Sequence, residues 1–307
     1  MKNIISVENL SKYYKEVKAV DNISFNVKEG EFFAFLGVNG AGKSTTINMI
    51  TGTLEMDEGK IVVNDNDVSC APLEVKKSVG VVFQSSVLDQ YLSAYENLYY
   101  RGKLYGLSDE CLKEKILELA NQLEFYDFLK RPLNKLSGGQ NRKLDLARAL
   151  IHEPKIVILD EPTTGLDPQT RKLIWKYLAD LKNKKDLTIF LTTHYMEEAT
   201  LADRVVIIDE GKILTVGTPS KLKEKYAKDY LKIYKENIDE NKFKNFINKY
   251  EYKEENEFYL INIKNTKQAK EIILDNPTLF DDFEIYKGSM DDVFLNVTGK
   301  KIGDNNE

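Results

Sequence analysis

The chain has 307 residues, 42% apolar and 30% charged, with a net charge of −5, which allows about two domains with real cores and excludes a disordered or collagen-like chain. Only six of its 44 basic residues are Arg, and no basic block occurs, a balance that argues against a nucleic-acid reader. Its longest apolar run, Phe32 to Val38, has seven residues even with Gly37 counted, far short of the roughly 18 that cross a bilayer; the first residues lack a secretory leader and Cys70 and Cys111 stand alone, so the expected address is cytoplasmic.

Up to about residue 215, short apolar runs alternate with helical stretches. The first clear strand, EFFAFLG (Glu31 to Gly37), runs into GVNGAGKST (Gly37 to Thr45) and then a helix. This is the G-x-x-x-x-G-K-[ST] phosphate loop in its required strand–loop–helix context. Gly37, Gly40 and Gly42 let backbone N–H groups turn inward around a phosphate. The helix aims its positive end at the same anion. Lys43 supplies a point charge and the Ser44 hydroxyl a Mg²⁺ ligand; Asn39, Ala41 and Thr45 complete the loop.

A second strand, Val79 to Phe83, is followed by a stretch of about 87–153 without strand signal. There Leu112, Ile116, Leu119, Ala120 and Leu123 recur at helical spacing, which predicts a helical subdomain inserted between two strands. Within it LSGGQ (Leu136 to Gln140) opens a helix with Leu144, Ala147, Leu150 and Ile151 on its apolar face. Ser137 has the chemistry of an N-cap, and Gly138 and Gly139 leave bare N–H groups, a second anion site. The strand IVILDEP (Ile156 to Pro162) then delivers Asp160 and Glu161 to the ligand edge of a parallel sheet. Neighbours on a strand point to opposite sides, so Asp160 is expected to hold Mg²⁺ and Glu161 to polarise the attacking water. TIFLTTH (Thr188 to His194) and RVVIID (Arg204 to Asp209) complete the set of buried strands.

After Gly217-Thr218-Pro219 the composition changes. The pattern predicts strands near Tyr230 to Tyr234 and Phe283 to Tyr286, a hairpin across Tyr250 to Ile263, helices near Asn241 to Asn248 and Gln268 to Leu274, and a last helix from Ser289. That βαββαβ order would make a ferredoxin-like α+β domain over 221–307, beside an α/β domain over 1–220.

Together these motifs resemble the ATP-binding-cassette (ABC) ATPases, over roughly Ile4 to Ser220. GVNGAGKST is similar to their Walker A, LSGGQ to their signature and IVILDEP to their Walker B. The resemblance implies a P-loop NTPase ABC cassette with a mostly parallel sheet, an antiparallel β part and the inserted helical subdomain. It makes Gln84 the Q-loop glutamine, linking Mg²⁺ and the water to a transmembrane partner. Asp167, in Gly165-Leu166-Asp167, becomes the D-loop residue, and His194 the switch histidine on the γ-phosphate. Tyr14, rather than Tyr13, falls where the family stacks an aromatic under adenine. It also implies ATP with Mg²⁺, and a second cassette (a homodimer or a related chain) packed head to tail. Ser137, Gly138, Gly139 and Gln140 would then face the ATP held by the partner's phosphate loop. Separate transmembrane permease chains would hold the protein on the inner face of the cell membrane, and nucleic acid is not expected.

The branch it is most similar to comprises the daunorubicin and multidrug exporters, through YMEEA (Tyr195 to Ala199) and MDDVFLNVTG (Met290 to Gly299). Asn141 departs from the basic residue usual after the signature, with little expected effect on catalysis. An alternative reading, a soluble ABC ATPase acting on ribosomes or nucleic acid, usually joins two cassettes or inserts a long coiled coil, and this chain has neither. A scaffold without catalysis is disfavoured because no catalytic position is substituted. His152 is expected on the surface or in a helix C-terminal turn, and Trp175 in the core. Tyr91, Tyr95, Tyr99, Tyr100 and Tyr105 either line a docking groove for the permease or simply pack.

Overall fold

In the computed structural model, which describes residues 2–235, 243, 246–277 and 282–299, the chain divides into two compact units, Met1–Gly217 and Thr218–Glu307. The first holds two sheets. The larger has six strands in the order β10-β9-β3-β8-β7-β6: β3 (Phe32–Leu36), β6 (Val79–Val82), β7 (Ile156–Asp160), β8 (Thr188–Thr193), β9 (Arg204–Asp209) and β10 (Lys212–Gly217). The first five are mutually parallel and β10 runs antiparallel to β9. Every residue of β3, β7 and β8 is buried, as expected of strands covered on both faces.

The smaller sheet is antiparallel, in the order β2-β1-β4-β5, from β1 (Asn3–Tyr14), β2 (Val17–Lys28), β4 (Glu58–Val63) and β5 (Asn66–Asp67). Phe25 of β2 stacks on Phe33 with centroids 5.6 Å apart, and Phe33 meets Phe190 at 5.3 Å. One core therefore joins both sheets. Helix α1 (Lys43–Ile50) follows β3, and α2 (Pro72–Ser78) precedes β6.

Between β6 and β7 the chain is helical: α3 (Ala94–Leu104), α4 (Asp109–Gln122) and α5 (Gly138–Leu150). Ser93 and Ser137 both start their helices with reciprocal capping boxes. Helices α6 (Pro168–Lys185) and α7 (Met196–Ala199) follow β7 and β8. Trp175 of α6 is half-buried and stacks on Phe32, centroids 6.0 Å apart. Among the described residues no helix is long and apolar enough to cross a membrane.

The second unit contains α8 (Pro219–Tyr226), β11 (Asp229–Tyr234), β12 (Tyr252–Glu254), β13 (Phe258–Ile263), α9 (Thr266–Asp275), β14 (Phe283–Tyr286) and α10 (Met290–Thr298). Its strands are antiparallel in the order β12-β13-β11-β14, that of a ferredoxin-like sheet. Leu231, Ile233, Ile261 and Ile263 pack on one side against Phe243, Phe246, Ile247, Ala269 and Ile272. Of the helix expected near Asn241 to Asn248, Phe243, Phe246 and Ile247 are helical, and much of the rest lies outside the described residues.

Candidate nucleotide site

The phosphate loop lies where β3 ends and α1 begins. Gly42 caps α1 at φ 100°, and a Cβ there would lie 2.4 Å from the Ala19 carbonyl. At Gly37 a Cβ would meet the Ile208 carbonyl at 2.5 Å. Both positions need glycine because the backbones of β2 and β9 pass so close. Asn39, Gly40 and Ser44 are exposed, Thr45 is half-buried and Ala41 is buried. The loop thus shows solvent its amides and the Ser44 hydroxyl, ahead of the free N–H groups of the first turn of α1.

Lys43 is 5% exposed. Its Nζ donates to the carbonyls of Gly37 (2.9 Å) and Val38 (3.0 Å) and lies 3.3 Å from Glu161 Oε1. Burial lowers the pKa of this amine, with the Glu161 and Asp160 carboxylates pulling the other way.

The carboxylates stand at the end of β7, as the strand pattern requires. Asp160 Oδ1 accepts from the hydroxyls of Thr192 and, at 3.4 Å, Ser44. These oxygens are the hard donors that Mg²⁺ prefers, and the exposed hydroxyl leaves room for phosphate oxygens and water. Among the described residues no cluster of three His, Cys, Asp or Glu side chains offers another metal site.

Glu161 collects the remaining residues. Its carboxylate lies 3.3 Å from Lys43, accepts from Gln84 Nε2 at 3.4 Å, and lies 3.2 Å from His194 Nδ1. The imidazole is not aligned for a hydrogen bond. The Glu161 backbone is left-handed, φ 46°, an uncommon state for a non-glycine residue that clusters at functional sites. Its N–H donates to the Thr192 carbonyl at 3.0 Å. Lys43, Gln84 and His194, from three separate segments, therefore surround one carboxylate. Gln84 faces Glu161 here rather than the Ser44–Asp160 pair.

Six sequence-chosen residues lie apart from this cluster. Ser137 and Gln140 bind each other, Gln140 N to Ser137 Oγ at 3.3 Å and Ser137 N to Gln140 Oε1 at 2.9 Å. Gly138 has open space at its Cβ position, whereas a Cβ on Gly139 would lie 3.3 Å from Thr170 Oγ1 and 3.6 Å from Asp167 Oδ2. Asp167 caps α6 by accepting from Thr170 N at 2.9 Å, a bond that lowers its pKa. The D-loop aspartate thus neighbours the signature of its own chain. Tyr14, 48% exposed, ends β1 at the turn into β2.

Two arrangements escaped sequence reasoning. Buried Glu198 of α7 accepts from the Thr193 hydroxyl at 2.6 Å and from Thr163, bracing the strand end that carries His194. Buried Arg142 of α5 donates to carbonyls around Glu161 and Gln84. The one sequence signal was opposite charges at three-residue spacing, Arg142, Asp145 and Arg148, on a helix otherwise read from its apolar face. Two expectations need correction, the first being Trp175, which is half-buried rather than in the core. His152 is not a surface residue but is half-buried and stacked on Tyr105, centroids 3.8 Å apart and 5° from parallel. Burial and the Arg101 charge push its pKa down to about 4, so the preference of helix ends for cations is outweighed.

Residues 20–164 match the family model described as "ABC transporter". The chain is 42% identical over 232 residues to the Nod factor export ATP-binding protein I of Sinorhizobium fredii, covering 75% of this chain and 67% of that one. It is 38% identical over 230 residues to the daunorubicin/doxorubicin resistance ATP-binding protein of Streptomyces peucetius, covering 75% and 69%. Among solved structures, it superposes with a TM-score of 0.65 and 28% identity on a dimeric ATP-binding cassette in a post-hydrolysis state bound to ADP and Pi, over 70% of this chain and 98% of that one.

Proposed function

This chain belongs to the ATP-binding proteins of ABC transporters, and from that premise we propose that it drives export through separate permease chains by hydrolysing ATP between two cassettes. The observation that carries the reading is the convergence of Lys43, Gln84 and His194 on the Glu161 carboxylate, directly beside the open phosphate loop.

Residues of the loop from Gly37 to Thr45 wrap the phosphates with backbone N–H groups and the positive end of α1. Lys43 exchanges its Glu161 and carbonyl partners for the β- and γ-phosphates, which frees the Glu161 carboxylate. Glu161 then accepts the proton of the attacking water, a task typically worth ~10² to 10⁴ in rate. His194 donates to the γ-phosphate, and Gln84 orients the water and reports its presence toward the permease. Ser44 and Asp160 would hold Mg²⁺, with Gln84 joining them once it leaves Glu161. The ion, when bound, neutralises charge building on the phosphate oxygens. Tyr14 offers its exposed ring to the adenine. The exposed start of α5, Ser137 to Gln140 with Asp167 beside it, faces the γ-phosphate of a second copy, so loss of that phosphate releases the pair.

Export is inferred from the relatives named for Nod factor export and for daunorubicin/doxorubicin resistance. The unit Thr218–Glu307 carries none of the nucleotide motifs, and we read it as an accessory domain. A gentle-detergent pull-down of the tagged chain from its native membranes, with mass spectrometry, tests the transporter reading. The expected result is a stoichiometric partner with several membrane spans. Recovery only with ribosomes or nucleic acid, or with no partner, would overturn the exporter reading.

A further inference from the structure

A guanidinium lies behind the hydrolytic carboxylate, and no sequence motif assigns it. Arg142 stands on the second turn of α5, 8% exposed. Its Nε donates to the Pro162 carbonyl at 2.5 Å and its Nη1 to the Phe83 carbonyl at 2.5 Å. Nη2 donates to the carbonyls of Asp160 at 3.2 Å and Glu161 at 3.0 Å. One planar fork thus binds three consecutive peptides at the end of β7 and the peptide preceding Gln84.

Those peptides are the ones whose orientation decides catalysis. Glu161 is left-handed at φ 46°, a conformation that persists only where surrounding bonds over-determine it. Its N–H is held by Thr192, and its C=O by Arg142. Gln84 is the residue after Phe83, and its amide reaches the same Glu161 carboxylate. Fixing the Phe83 and Glu161 carbonyls with one rigid group sets the direction of both side chains. Lysine, a flexible point charge with three donors, cannot span the same four acceptors. Arg142 also lies one helical turn beyond Gly139, so both residues sit on one face of α5.

We propose that Arg142 is a positioning residue for ATP hydrolysis, aiming Glu161 and Gln84 through their backbone without touching the nucleotide. The inference rests on the reading of Glu161 as the base. The test is steady-state ATPase kinetics of Arg142→Lys, with nucleotide affinity and thermal melting measured on the same full-length protein. Expected are a fall in kcat of at least 10-fold and an affinity for ATP within about twofold of wild type. Adding Arg142→Lys to Glu161→Gln should cause no further loss, because both act on one step and such effects are not additive. If Arg142→Lys does not fold, Arg142→Gln, which keeps two neutral donors, is measured in the same way. Turnover at the wild-type rate, or an ATP affinity that falls as far as kcat, overturns the proposal. Failure of both variants to fold overturns it too, since Arg142 would then be a stability residue. Glu161→Gln alone separates the two readings. If that variant hydrolyses ATP normally, the assignment of the base fails. If it is inactive while Arg142→Lys is unimpaired, only the role of Arg142 fails.

Discussion

Glu161 is held in a conformation it would not choose. A left-handed backbone costs an L-residue roughly 1–2 kcal/mol, offset here by the Thr192 and Arg142 bonds to its peptide groups. Gly42 shows the opposite solution, a residue with no side chain to oppose φ 100°. Gly42→Ala places a methyl 2.4 Å from the Ala19 carbonyl, so the loop must shift. A stability loss of more than about 1 kcal/mol and at least a tenfold weaker ATP affinity are expected, read by melting and by fluorescent-nucleotide binding. An unchanged affinity would show that the loop adapts. Lys43, Ser44, Asp160 and Glu161 were legible in the sequence because each lies in a short segment whose chemistry is local. Gln84, Asp167 and His194 needed the family pattern, since a lone Gln or His carries no local signal. Arg142 was not legible because its partners are backbone carbonyls from distant segments, invisible in residue types.

Among the elements, the fully buried strands β3, β7 and β8 were read within about two residues of their ends, since continuous Val, Ile and Phe runs are their own signal. β1 and β2 were not delimited. Their 12-residue pairing has four register shifts, which break the two-residue alternation on which sequence reading relies. The C-terminal hairpin and α10 lie where the sequence pattern puts them, α10 down to its Ser289 cap. His152 does lie in the turn after α5, one of the two places expected for it, but not on the surface, because packing against α3 half-buries it. Its folded pKa of about 4 lies below the unfolded value of about 6.5. Between those values the unfolded chain binds more protons, so stability rises with pH through this window and is lost as pH falls from about 6.5 toward 4. Arg101, Arg148 and Lys115 all oppose protonation. His152→Phe keeps an aromatic ring against Tyr105 and removes the titration. Urea unfolding should show the variant gaining on wild type by about 2 kcal/mol between pH 7.5 and pH 4.5. Parallel pH profiles would contradict the assignment.

At the scale of the molecule, the residues expected to bind nucleotide fall into two groups. The phosphate loop, Glu161, Gln84 and His194 form one. The open start of α5 with Asp167 and Thr170 beside Gly139 forms the other. From its residues alone the signature was legible only as an anion site, and the family pattern was needed to suggest that its ligand lies on a second cassette. The dimeric cassette with ADP and Pi to which the chain is similar agrees with pairing through the nucleotide. On the function proposed above, the γ-phosphate would be the switch of the assembly, with Glu161 setting the time between closure and release.

The most direct measurement is light scattering of Glu161→Gln with and without ATP and Mg²⁺, alongside its rate of phosphate release. The account predicts retained ATP binding, turnover lowered by ~10² or more, and a stable dimer that forms with ATP and falls apart with ADP. Normal phosphate release, or a bound-ATP state that stays monomeric, would contradict it.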